Sequence, residues 1–231
     1  MAAKKKKNNN QAIVWITLAV ISFLITGALT FVFVVSERNG HIIGTESFLQ
    51  AGILIGGVAF LGTCFLLAGT PRPKRPRAAM FAMGVLFAVY LVILAGLLFG
   101  GERNYYRWWS PEARYSLKPF ATIQLYVDAY KSHSLRIRQV ASNLIGNILL
   151  FMPMAWFVPF LVKGMRKWYI FLPFMLALIC FVEIAQYLSG RGSMDIDDVI
   201  LNFPGVVIGF VFLWNPLMVK LWKKTNLIGK K

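Results

Sequence analysis

The chain has few acidic residues and almost no histidine or cysteine. Of its 231 residues, nine are aspartate or glutamate, two are histidine and two are cysteine. Both cysteines, Cys64 and Cys180, fall inside apolar runs, which argues against a disulfide. The sequence contains no HExxH, GxSxG, CxxC or phosphate-loop pattern. These absences argue against a histidine-based nucleophilic hydrolase.

Charge is scarce in general, and long apolar runs take its place. Charged residues make up 15% of the chain, and the mean hydropathy is +0.62. A bilayer core is crossed by about 20 residues of helix. Six runs are long enough: residues 12–35, 48–69, 78–99, 143–162, 168–188 and 199–219. Only the fifth run contains a charge, Glu183. The sequence predicts an all-α, polytopic membrane helix bundle with about six transmembrane helices.

The net charge of +16 is distributed unevenly along the chain. Sixteen of the 25 lysines and arginines fall on one side of six alternating helices. The positive-inside rule therefore places both termini in the cytoplasm. Seven basic residues in the predicted external segment, residues 100–140, are a counter-signal. Much of the positive charge is explained by the orientation of the helices in the membrane and by attraction to anionic lipid head groups. No nucleic-acid partner is therefore expected.

This topology predicts five regions. They are a basic cytoplasmic tail (1–11), three transmembrane helices (12–99), an external segment (100–140), three further transmembrane helices (141–220) and a second basic cytoplasmic tail (221–231). The external segment is rich in aromatic residues and contains an amphipathic stretch over residues 121–130. Two interpretations stay open for it: an interfacial anchor on the outer leaflet, or a cap over a cavity between the helices.

Each of the last three predicted helices presents polar residues on one face near the predicted outer boundary. They are spaced three or four residues apart, as a shared helix face requires. A carboxylate within a span is usually tolerated only when it faces protein, water or a partner. The candidate binding pocket consists of Asn143, Asn147, Glu183, Gln186, Arg191, Asp195, Asp198 and Asn202.

Three aspartates lie within four residues at the start of the sixth run. Asp197 is explained by capping of that helix, because carboxylates are favoured at helix N-termini. Three caps are redundant, so Asp195 or Asp198 is expected to face Glu183 and the asparagines. Arg191 is the nearest candidate to neutralise them. No cofactor is predicted, although a divalent cation held by Asp195, Asp198 and Glu183 stays an alternative.

Five motifs, in this order and spacing, resemble the VanZ-like family. They are Arg114-x-x-x-Lys118-Pro119-Phe120, Asn143-Leu-Ile-Gly146-Asn147 with Phe151-Met-Pro153, Glu183-x-x-Gln186, Gly190-Arg191, and Asp195-Ile-Asp197-Asp198 followed by Asn202, Gly205 and Gly209. The resemblance covers about residues 114–213. It implies a multi-pass protein of the bacterial cytoplasmic membrane, in a family whose name-giving member is associated with teicoplanin resistance.

Several functions remain open at this point. The pocket could recognise a cell-envelope lipid, a lipid-linked cell-wall intermediate or a glycopeptide, with membrane lipids as further partners. Alternatively, its carboxylates could serve an intramembrane enzyme acting on a lipid-linked head group. A transport path centred on Glu183, and polar residues that only join helices, complete the alternatives.

Overall fold

The structure, a computed structural model, describes residues 2–38, 45–100 and 115–228. Six of the described helical stretches are long and apolar enough to cross a membrane: Asn10–Ser36, Gln50–Gly69, Arg72–Phe99, Ile137–Leu161, Trp168–Ser189 and Ile196–Leu213. The predicted all-α membrane bundle is confirmed. The chain forms two compact units, one of Met1–Leu94 with Lys220–Lys231 and one of Ala95–Val219.

The first unit is built mainly from α1 (Ala2–Arg38), α2 (Thr45–Gly69) and most of α3 (Arg75–Phe99). Helices α1 and α2 run antiparallel and approach closely at glycines. A Cβ on Gly69 would lie 2.9 Å from Cγ1 of Ile16, and one on Gly62 would lie 3.0 Å from Cβ of Ser22. Pro71, Pro73 and a short 3-10 turn, Arg72–Lys74, separate α2 from α3, because a helix cannot continue through these prolines.

The second unit contains the candidate pocket. Its elements in chain order are β1 (Tyr115–Ser116), α4 (Ala121–Lys131), α5 (Ile137–Leu150), α6 (Met154–Leu161), α7 (Trp168–Ser189), β2 (Met194–Asp195) and α8 (Ile196–Leu213). The two short strands pair in parallel, with Tyr115 opposite Met194 and Ser116 opposite Asp195. This pairing holds the start of the α4 segment beside the start of α8.

Two predicted spans differ from the observed helices. The fourth begins earlier, at Ile137, and is broken into α5 and α6 where Pro153 precedes the second helix. The sixth ends at Leu213 rather than near residue 219. There Asn215 Oδ1 accepts a hydrogen bond from the Met218 amide at 3.0 Å, and Pro216 follows as first residue of a new helix, α9 (Pro216–Lys224).

Helix α8 packs against the broken fourth span through two glycines. A Cβ on Gly205 would overlap the carbonyl oxygen of Ile148, and a Cβ on Gly209 would lie 3.0 Å from that of Ala155. This is the close backbone approach that a GxxxG arrangement permits in membrane helices. Residues 205 and 209 therefore fix how near α8 lies to α5 and α6.

We expect Gly205→Ala to destabilise the protein, because the new methyl group meets backbone that cannot rotate away. Overpacking of this kind costs about 1–3 kcal/mol or more. Thermal unfolding of the purified protein in detergent measures the effect. Gly146→Ala, on α5 with nothing within 4 Å of the added Cβ, is the matched control and should leave the unfolding temperature unchanged or slightly higher. Equal unfolding temperatures for the two variants would contradict the close contact.

Candidate functional site

The turn from β2 into α8, residues 195–198 and here called the aspartate turn, organises the second unit. Asp195 caps α8, because its Oδ1 accepts a hydrogen bond from the Asp197 amide at 2.9 Å. Its Oδ2 accepts the Thr122 hydroxyl hydrogen bond at 2.5 Å. Its own amide donates to Oε2 of Glu183 at 3.1 Å. One residue thereby links α8 to α4 and α7.

Asp197 lies in the same turn but serves a different helix. Its side chain is completely buried and accepts hydrogen bonds from the amides of Phe120 at 2.5 Å, Thr122 at 2.8 Å and Ile123 at 3.0 Å. These are the free amides at the start of α4, whose own N-cap residue supplies no side-chain bond. The prediction that Asp197 caps the sixth span is therefore wrong: it caps α4, about 75 residues earlier in the chain.

Asp198 joins α8 to α5. Its Oδ1 accepts a hydrogen bond from Nδ2 of Asn147, one turn below Asn143 on the same face. Asn143 donates to the Gln139 carbonyl at 2.9 Å and is exposed. The two asparagines and this aspartate therefore lie together, as their helix spacing predicts.

A cavity of about 230 Å³ lies between α4, α5 and the aspartate turn. Its polar wall is formed by Thr122, Asn143, Asn147, Ser193, Asp195, Asp197 and Asp198, and its apolar wall mainly by Ile123, Leu144 and Leu201. A second cavity of about 460 Å³ shares Thr122, Tyr126, Ser193 and Asp195 with it. Helix α4 lines both cavities. It belongs to the predicted external segment, residues 100–140, for which an interfacial anchor and a cap over a cavity were the two interpretations.

Half of the predicted pocket residues do not line these cavities. Glu183 is buried behind the Asp195 amide. Gln186 lies three residues further along α7 and donates to the Leu98 carbonyl at 2.9 Å. Arg191, which follows the left-handed Gly190 at the end of α7, donates to the Phe99 carbonyl at 2.6 Å.

Asn202 is the fourth of these residues, and it is 2% exposed. Its Oδ1 is the one fully buried side-chain polar atom without a hydrogen-bond partner among the described residues. The i,i+4 spacing that pairs it with Asp198 on one face does not bring it to the cavity wall, because one helical turn carries it deeper into the bundle.

The buried carboxylates are stabilised by hydrogen-bond donors rather than by cations. Within the described ranges, the ion pair present is Lys131 with Asp128, at 3.9 Å on the surface. The prediction that Arg191 neutralises the aspartates is wrong: among the described residues Arg191 forms no ion pair with them, and its Nη1 donates to the Phe99 carbonyl. In the same part of the chain, no three histidine, cysteine or acidic side chains are grouped to hold a metal ion.

Among the polar residues that line the smaller cavity, Thr122, Tyr126 and Ser193 were not singled out in the sequence, and Asp197 was assigned to capping alone. Thr122 carries a detectable signal, because it follows Lys118-Pro119-Phe120 at the beginning of an amphipathic stretch. Ser193 and Tyr126 carry none, since their position depends on how the α4 segment folds back onto the aspartate turn.

Comparison with known proteins supports the assignment suggested by the motifs. The model of the VanZ/LLP1 family matches residues 87–220, more than half of the chain. The protein belongs to the VanZ/LLP1 family. The region matched contains every residue that lines the two cavities. No curated protein and no solved structure matches this VanZ/LLP1 chain.

We expect Asp197→Asn to loosen the start of α4 in this VanZ/LLP1 protein. The NH2 group of asparagine is a donor and cannot accept a hydrogen bond, so at least one of the three backbone amides that now donate to the carboxylate loses its partner. An unpaired buried donor costs about 1–3 kcal/mol. Hydrogen exchange followed by mass spectrometry should show faster exchange over residues 120–125. Asp128→Asn, on the exposed face of the same helix, should exchange like the wild type. Unchanged protection in Asp197→Asn would contradict its capping role.

Proposed function

We propose that this VanZ/LLP1 protein recognises an amphiphilic molecule of the bacterial cell envelope in the cavity beside the aspartate turn. Candidate ligands are a lipid-linked cell-wall intermediate and a glycopeptide such as teicoplanin, and binding of this kind would link the protein to glycopeptide resistance. The protein resides in the bacterial cytoplasmic membrane with both termini in the cytoplasm, so that the cavity opens outward.

The observation that carries this proposal is a set of acceptor oxygens left open on the cavity wall. Nδ2 of Asn147 donates a hydrogen bond to Oδ1 of Asp198, and Nδ2 of Asn143 donates one to a backbone carbonyl. Their remaining oxygens accept no hydrogen bond from the described residues. They suit a ligand that donates several hydrogen bonds, such as a sugar or peptide head group.

The apolar part of the wall supports an amphiphilic ligand. Leu144 and Leu201 border the same cavity as the open oxygens, and Leu125 and Leu135 border the larger neighbouring one. A ligand with a polar head and an apolar chain would bury both parts here. Apolar walls with a few placed polar groups are the usual composition of small-molecule sites.

Acid–base catalysis is disfavoured because most of the carboxylate oxygens are already engaged within the protein. Both oxygens of Asp195 and both of Asp197 accept hydrogen bonds from the protein itself, and Glu183 accepts one from a backbone amide. These groups are engaged in holding helices together. A catalytic acid or base needs an oxygen within reach of the substrate proton.

The enzymatic alternative rests on Asp198, whose second carboxylate oxygen is open and which lines the smaller cavity with Asp195 and the hydroxyl-bearing Thr122 and Ser193. In that case the protein would change a lipid-linked head group, with Asp198 as acid or base through its open oxygen.

The test measures teicoplanin and a lipid-linked cell-wall precursor binding to the purified full-length protein, alongside teicoplanin susceptibility of cells that express it. Loss of one hydrogen bond to the ligand in Asn143→Ala should weaken binding about two- to tenfold. Ser142→Ala is the matched control. Ser142 also bonds the Gln139 carbonyl, at 3.0 Å, but does not line the cavity.

Wild-type binding of both molecules by Asn143→Ala, at equal membrane abundance, would contradict recognition in this cavity. Head-group turnover by the purified protein that is lost in Asp198→Asn would instead establish the enzymatic alternative.

A further inference from the structure

The first unit carries a surface of basic side chains assembled from two segments that lie far apart in the sequence. One is the connection between α2 and α3, residues 70–77, and the other is residues 220–228. Nδ2 of Asn226 donates to the Arg72 carbonyl at 2.5 Å, across 154 positions of the chain. Trp222 and Ile228 are 5% and 3% exposed, so the second segment is packed into the unit. The two segments therefore form one continuous surface.

Six side chains of this surface are cationic and exposed. They are Arg72, Lys74, Arg77, Lys220, Lys223 and Lys224, here called the basic surface. Neither segment contains an aspartate or glutamate. None of the six takes part in an ion pair with a described residue. The positive charge is thus uncompensated by neighbours in the described chain.

The basic surface lies at the boundary of the apolar helices. Its first segment connects the apolar stretch of α2, which ends at Gly69, directly to that of α3. Phosphate groups of a bilayer occupy the level at which membrane helices end, and basic residues there are attracted to anionic lipids.

We propose that the basic surface binds the phosphate groups of anionic lipids in the leaflet that borders this end of the first unit. The contact between Asn226 and Arg72 holds the C-terminal lysines beside the arginine-rich turn, so the two segments act on one lipid cluster. Each cation at such a surface strengthens lipid binding about fivefold. This site is independent of the cavity beside the aspartate turn.

Binding of fluorescent phosphatidylglycerol to the purified full-length protein in a non-ionic detergent tests the proposal, with phosphatidylcholine as reference. The variants are Arg72→Gln/Lys74→Gln and Lys223→Gln/Lys224→Gln, each of which removes two charges and keeps polar side chains. Each pair should weaken phosphatidylglycerol binding about 25-fold, from about fivefold for each charge. Phosphatidylcholine binding should not change.

The matched control is Lys118→Gln/Lys131→Gln, which removes two exposed lysines from the second unit. It should bind phosphatidylglycerol like the wild type. Wild-type affinity in either of the two surface variants overturns the proposal, because the site requires both segments. Inorganic phosphate is added at constant ionic strength as a competitor. If it displaces the lipid, the surface binds phosphate in general and the proposal of a lipid ligand is wrong. Unfolding temperatures equal to the wild type verify that both variants are folded.

Discussion

The second unit depends on one buried carboxylate that satisfies the amides of a distant helix. Asp197 accepts three hydrogen bonds at the beginning of α4, where the backbone amides would otherwise be unpaired. Burial of a charge without such partners would be costly. The requirement fixes the position of α4 over α5 and α8, and the cavity exists because α4 is held there. Neighbouring aspartates in the same turn complete the connection to α5 and α7.

Helix α8 makes its polar contacts at one end and its closest backbone contacts further along. Its first turn carries the aspartates that hold α4, α5 and α7, whereas Gly205 and Gly209, two turns further on, bring its backbone against the broken fourth span. Because glycine has no side chain, the backbones of the two helices approach more closely there than any other residue would permit. The polar end stays open enough to hold a cavity, while the glycine end is closed. One helix thus combines a close backbone contact with one wall of the cavity.

Much of the architecture was predictable from sequence, because length and hydropathy define a membrane helix almost alone. The pairing of Asn147 with Asp198 was also predictable in kind, from helical spacing. The partners of Asp197, Gln186 and Arg191 were not. Each is a backbone group, amide or carbonyl, of a segment distant in sequence. Residue types carry no information about which backbone groups need a partner. The sequence therefore suggested that Arg191 pairs with the aspartates, whereas it donates to a backbone carbonyl.

That the cavity beside the aspartate turn opens to the outside of the cell is tested most directly by the reactivity of a single cysteine at Ser193. Cys64 and Cys180 are replaced by alanine, and intact cells are treated with a membrane-impermeant maleimide. Ser193→Cys should react in intact cells, whereas Arg77→Cys, on the opposite predicted side, should react only after the membrane is permeabilised. Reaction of Ser193→Cys only after permeabilisation would contradict an outward-facing recognition site.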